Sequence, residues 1–139
     1  MKIIIIRGIS GSGKSTHIAK HFPNAYVVSA DHFFGTGANY NFDPKKLGAA
    51  HADCLEKFKQ AIRRHVPEIV VDNTNTQLWE FSKYVEFAKE NGYVVTVVRL
   101  KIDPAVAAKR NIHGVPEEKV KQMQGRFQDY PGEIVINNG

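Results

Sequence analysis

Four consecutive isoleucines, Ile3 to Ile6, lead through Arg7 straight into Gly8-Ile-Ser-Gly-Ser-Gly-Lys14-Ser15. A strand that is apolar on both faces must be covered on both faces, the situation inside a parallel sheet flanked by helices. The glycine-rich stretch fits G-x-x-x-x-G-K-[ST], and a helical pattern follows it from about Gly13 to near Phe22. Strand, tight turn and helix in that order form a cradle for phosphate. The backbone N–H groups of the loop, those of Gly11, Ser12 and Gly13 among them, point at the phosphates, and the helix N-terminus adds partial positive charge. Lys14 is placed to bridge β- and γ-phosphates, Ser15 to ligate Mg²⁺, and Thr16 to bond an α-phosphate oxygen. The implied ligand is ATP or another NTP together with Mg²⁺.

The remaining apolar runs alternate with helical patterns, which predicts βα units around a mainly parallel sheet. Ala25 to Ser29 reads as a second strand. Phe34 to Phe42 carries Gly35, Gly37, Asn39 and Asn41 and reads as a loop. Asp43-Pro44 pairs an N-cap with a proline at the first helical position, and Leu47, His51, Cys54, Leu55, Phe58 and Ile62 continue at helical spacing to about His65. Glu68 to Asp72 is a third buried strand. Leu78 to Glu90 is a helix closed by Asn91-Gly92, and Tyr93 to Leu100 is a strand. Asp103-Pro104 opens a helix to about Arg110. The polar turn Asn111 to Gly114 separates it from a helix opened by Pro116, Glu117 and Glu118, and Ile134 to Ile136 is a short final strand. The expected fold class is α/β, five strands with helices between them and a helical pair near the C-terminus as a closing lid.

A length of 139 residues predicts one domain over residues 1–139. Cys54 is the single cysteine, which rules out an intrachain disulfide and favours a cytoplasmic address. The apolar run before Arg7 is too short for a signal peptide or a membrane span, so no membrane partner is expected. A formal charge of +5 and a pI near 9.4 permit a polyanionic partner. The positive residues are spread along the chain, and a basic cleft also suits ATP, so charge does not identify nucleic acid.

A phosphate cradle serves kinases, GTPase switches, motor ATPases and nucleotide-gated binding modules alike. A kinase also needs a carboxylate to take the proton of an acceptor hydroxyl. In an open α/β sheet, ligands bind beyond the carboxyl ends of the strands, so candidates lie just after strands two and three. Asp31, in Ser29-Ala-Asp-His-Phe-Phe34, is the candidate base. Asp72, in Val70-Val-Asp-Asn-Thr-Asn75, stands where such proteins organise magnesium, directly or through water. The blander readings are a turn cap for Asp31 and a strand-end cap for Asp72. No N-K-x-D loop for guanine is present. His51, on the apolar face of its helix, reads as a core histidine, and Trp79 as a packing residue.

At these residues the chain resembles the polynucleotide 5′-hydroxyl kinases, including the kinase domain of the phage-type enzyme. It looks closest to the small kinase-like proteins named after the Nedd-four-binding (Bcl-three-binding) protein. The matching stretches are Gly8 to Thr16, Ser29 to Phe34, Tyr40 to Pro44, Ala50-His51, Val71 to Asn75 and Arg110-Asn-Ile-His-Gly-Val-Pro116. The resemblance implies a three-layer P-loop kinase fold, and transfer of the γ-phosphate of ATP to 5′-OH ends of DNA or RNA. It places the base on Asp31, acceptor contacts on Asn73, Thr74 and Asn75, and a lid arginine on Arg110, whose guanidinium fork neutralises charge on the transferring phosphoryl group. The residue-level alternative for Arg110 is a cation favoured by a helix C-terminus. Two departures stand out. The lid turn is short and offers His113 where the phage-type enzyme carries a second arginine, and Phe34 replaces an arginine three residues after the base. An aromatic there suits stacking on a nucleobase, or simply packs its loop on the core. No D-x-D-G-T phosphatase motif is present, so only the kinase half is expected. The runner-up is a kinase of sugars, nucleosides or antibiotics on the same scaffold. A further alternative is a nucleotide-dependent binding module without catalysis.

Overall fold

The computed structural model describes residues 1–9, 11–35, 37–110 and 115–137. The expected His113 contact, with the rest of the turn at 111–114, lies outside the described residues. Five strands, β1 (Lys2–Arg7), β2 (Tyr26–Val28), β3 (Glu68–Asp72), β4 (Val94–Lys101) and β5 (Ile134–Asn137), form one sheet in the order β2-β3-β1-β4-β5. All four pairings are parallel, and Ile4 of β1 lies in register with Val70 and Thr96. The helices are α1 (Lys14–His21), α2 (Leu47–Arg63), α3 (Leu78–Glu90), α4 (Pro104–Arg110) and α5 (Glu117–Gly125).

The isoleucine run is covered on both faces, as its composition requires. Ile3 and Ile5 join Phe58 of α2 and Phe81 and Tyr84 of α3 in the larger core. Ile4 and Ile6 face the other way, against Ile18 of α1, Val70 and Val98. Full burial of each of these side chains stabilises the fold by about 1.5–3 kcal/mol. A third cluster of Ile9, Ile102, Ala107 and Val120 seats α4 and α5 beside the loop after β1. Because the chain runs outward to β2, returns to β3 beside β1, then crosses to β4, the order reverses at the carboxyl end of β1. A crevice opens there in such sheets.

Local departures from expectation concern the ends of elements. Asp43 accepts from the Lys45 amide at 3.0 Å, as an N-cap should, but the first turn, Pro44–Lys46, is a 3-10 turn and α2 follows from Leu47. The glycine- and asparagine-bearing loop contains a 3-10 turn at Gly37–Asn39, and another, Ala30–Phe34, leads into it. Arg7, which closes the apolar strand, is fully buried (0% exposed). Its guanidinium donates to the carbonyls of Asn75, Thr76 and Gln128 and pairs with Glu133 at 2.7 Å. It also lies over the rings of Phe81 and Phe127. Arg99 of β4 covers the same Phe127 ring and pairs with Asp129, with Glu133 at 3.7 Å. Among the described residues no helix is long and apolar enough to cross a membrane.

Candidate active site

The cradle is shaped by two backbone positions that L side chains rarely adopt. Gly11 has φ 82°, and Gly13, the N-cap of α1, has φ 91°. A Cβ on Gly11 would stand 2.0 Å from the Ala107 carbonyl oxygen, so α4 rests directly on the loop. No side chain caps α1 and no acidic residue occupies its first turn. Its first amides and its positive dipole end are therefore left to an anion. Lys14 folds back, donating from Nζ to the Gly8 carbonyl at 3.1 Å and to that of Ile9 at 3.5 Å. Burial pulls its ammonium below the ordinary lysine range, while Asp72 and Asp31 hold it up.

Asp72 ends β3 facing that lysine. Burial pushes its carboxyl up, against the pull of Lys14 and His32. Its Oδ1 is buried and has no hydrogen-bond partner among the described residues. Buried polar atoms are nearly always satisfied, and a carboxylate oxygen left open beside a phosphate cradle fits a magnesium ion or its water. Ser15, exposed at the start of α1, supplies a hydroxyl on the same cleft. The described residues contain no group of three or more His, Cys, Asp or Glu side chains able to hold a metal. Magnesium binding of this kind takes its remaining ligands from the nucleotide and water.

Asp31 sits in the Ala30–Phe34 turn, whose N-cap Ser29 accepts from the Asp31 amide at 3.2 Å. Tyr40 Oη donates to Asp31 Oδ1 at 2.9 Å. Burial first, and this hydrogen bond second, push the Tyr40 hydroxyl up to about 12, so it stays a donor at neutral pH. Nothing local in the sequence marks Tyr40 for this contact. Its only signal was its place in the matched Tyr40 to Pro44 stretch, because a contact with Asp31 is set by how the loop folds.

One cleft of about 1190 Å³ joins Gly11, Gly13, Lys14, Ser15 and Thr16 of the cradle to Asp31 and Asp72. Arg110, exposed at the end of α4, lines the same cleft from the lid side, as do Phe34, Asn73 and Thr74. Ser12 is buried within the loop, so its backbone rather than its side chain serves the cradle. The expected acceptor contacts divide. Thr74 borders the cleft, and its carbonyl accepts from the Gly8 amide at 3.1 Å. Asn73 accepts from the Ala30 amide at 2.9 Å, pinning the Asp31 turn to the end of β3. Asn75 departs from expectation. It is 1% exposed at φ 49°, its amide donates to the Ile6 carbonyl, and it shapes the turn instead of meeting a substrate.

The aromatics are also redistributed. Phe34 is 7% exposed and belongs to the core, with its ring edge-on to Phe33, Tyr40 and Phe42, so stacking on a base is not its position. Phe42 is 48% exposed on the cleft. His51, read as a core residue, is exposed and lines the cleft. Trp79, read as a packing residue, is 71% exposed, with Nε1 donating to Gln77.

Residues 3–130 match the model of a family described as an AAA domain. The chain is 34% identical over 141 aligned positions to NEDD4-binding protein 2 from Homo sapiens; the match covers 96% of this chain and 8% of that protein. Among solved structures, a gluconokinase from Sinorhizobium meliloti superposes with a TM-score of 0.66 at 17% identity, over 99% of this chain and 83% of that one. The APS kinase CysC of Mycobacterium tuberculosis, in complex with AMPPNP and APS, gives 0.63 at 17% identity, over 98% and 87%. These likenesses confirm the P-loop kinase fold, a three-layer α/β structure around a five-stranded parallel sheet.

Proposed function

The chain belongs to the AAA-domain family and has the fold of P-loop kinases, and from that premise we propose that it is an ATP- and Mg²⁺-dependent kinase of polynucleotide 5′-hydroxyl ends, DNA or RNA. One observation carries the reading: Asp31, held by Tyr40, faces the same cleft as Lys14, Asp72 and Arg110. Gly11 to Thr16 would hold the triphosphate, with Lys14 leaving the Gly8 carbonyl for β- and γ-phosphate oxygens. Ser15 and Asp72 would hold magnesium, which when bound supplies neutralisation of phosphate charge. Asp31 accepts the proton of the acceptor hydroxyl as its oxygen bonds to the γ-phosphorus and the bond to the β-phosphate oxygen breaks, releasing ADP. Arg110 places its guanidinium on the phosphoryl oxygens during transfer.

Support for a polynucleotide acceptor comes from the matches at Asp72 to Asn75 and Arg110 to Pro116, and the net charge of +5 permits it. The test is transfer from labelled ATP to a 5′-hydroxyl oligonucleotide, run beside gluconate, nucleosides and aminoglycosides. The expected result is a labelled oligonucleotide. Label on a small alcohol and none on the oligonucleotide would show a small-molecule kinase instead.

A further inference from the structure

Phe42, Leu47 and His51 line the cleft on its α2 side, and all three are exposed. Leu47 and His51 are four residues apart on α2 and so share one face. Phe42 is braced from behind, its ring 5.1 Å from that of buried Phe34 at 66°. Phe34 in turn meets Tyr40, whose hydroxyl holds Asp31. A flat apolar surface, fixed by the core and joined through a single ring to the residue that orients the base, is thus presented to solvent. Beside it, Lys45 and Lys46 are exposed in the first turn before α2 and form no ion pair among the described residues. An aromatic face with adjacent unpaired cations is the combination that binds single-stranded nucleic acid.

We infer that Phe42, flanked by Leu47 and His51, is a stacking platform for the unpaired 5′-terminal nucleobase of the acceptor, with Lys45 and Lys46 meeting the phosphates that follow it. This rests on the reading of the chain as a polynucleotide kinase and names how that acceptor is gripped. The cleft of about 1190 Å³ that contains the cradle also reaches Phe42, Leu47 and His51. A terminal base that covers the Phe42 ring must first leave its pair. Phe42 offers an exposed phenyl ring on the cleft, and the His51 imidazole is exposed there as well. Selectivity follows from the geometry: frayed or single-stranded ends seat their base, whereas a fully paired end must open first.

The experiment compares a 5′-hydroxyl oligonucleotide with the same strand carrying an abasic 5′-terminal nucleotide, in the wild type, Phe42→Ala and Phe42→Trp. Removing the terminal base should lower wild-type kcat/KM about tenfold, the scale of one base–aromatic stack. Phe42→Ala should lose about the same factor on the intact strand and nearly nothing on the abasic one, with the KM for ATP unchanged. Phe42→Trp should keep the wild-type ratio, and it carries the test if Phe42→Ala does not fold. A wild type active on both strands with equal efficiency overturns the platform alone, as does a Phe42→Ala loss that is the same on both. A wild type inert on both strands overturns the kinase reading and the platform with it.

Discussion

The carboxylate of Asp31 has one oxygen held by Tyr40, and the role proposed for it is to take a proton, not to bind the donor. Asp31→Asn keeps size and polarity but removes basicity, so it should lower kcat by about 10²–10⁴-fold while ATP affinity, measured by titration calorimetry, stays within a factor of two or three. Unchanged turnover would remove Asp31 from the mechanism. Tyr40 has a separate signature at high pH. Its hydroxyl is pushed up to about 12 in the fold, against about 10 in an unfolded chain. The folded chain therefore keeps a proton that the unfolded chain gives up. Stability from this residue is complete below pH 10 and is lost as pH rises toward 12. Tyr84 and Tyr93, also pushed up by burial, add to the same slope. Unfolding midpoints in urea at pH 9 and pH 11 should differ less in Tyr40→Phe than in the wild type.

Among the elements, α4 links cradle to lid. It rests on Gly11 through the Ala107 carbonyl, is anchored by Ala107 and Val120 beside Ile9, and presents Arg110 to the cleft at its last turn. Arg110→Ala should therefore lower kcat by about 10²–10³-fold with little change in ATP binding. Arg110→Lys should recover only part of the loss, because a point charge cannot grip two phosphoryl oxygens as a planar fork does. Steady-state kinetics with ATP and acceptor varied separately decides this. Equal effects on kcat and on nucleotide affinity would make Arg110 a donor-binding residue. The elements themselves were largely legible in the sequence. The isoleucine run demanded cover on both faces, Asp43-Pro44 and Asp103-Pro104 announced helices, and each strand was bounded by polar turns. What escaped was how loops fold on one another. Nothing local distinguishes Asn75, which turns inward at φ 49°, from Thr74 beside it, which borders the cleft. The same holds for Phe34, which braces, and Phe42, which is exposed.

At the scale of the whole molecule, the network around Arg7 was invisible to sequence reading, for a definite reason. Its partners Asn75, Thr76, Gln128 and Glu133 lie 68, 69, 121 and 126 positions away. No periodicity or cap signal spans such separations. Yet this network ties the segment leading into β5 to the strand that delivers Gly8 to the cradle, and so couples the far edge of the sheet to the phosphate site. Burial draws the Arg7 guanidinium down, and Glu133 holds it up; both side chains are almost wholly excluded from solvent. Such a pair adds little over an apolar pair of the same shape, but breaking it leaves a charge stranded in the interior. Glu133→Ala should therefore cost about 3–5 kcal/mol, a fall in Tm of roughly 10–20 °C for a chain of this size. Arg7→Met combined with Glu133→Leu should not recover that loss: it removes both charges, but it also removes the donor to the carbonyls of Asn75, Thr76 and Gln128 and leaves those oxygens unpaired. Thermal and urea unfolding of the two variants against the wild type test the point. If Glu133→Ala unfolds within a few degrees of the wild type, Arg7 is satisfied by the three carbonyls alone and the carboxylate is dispensable.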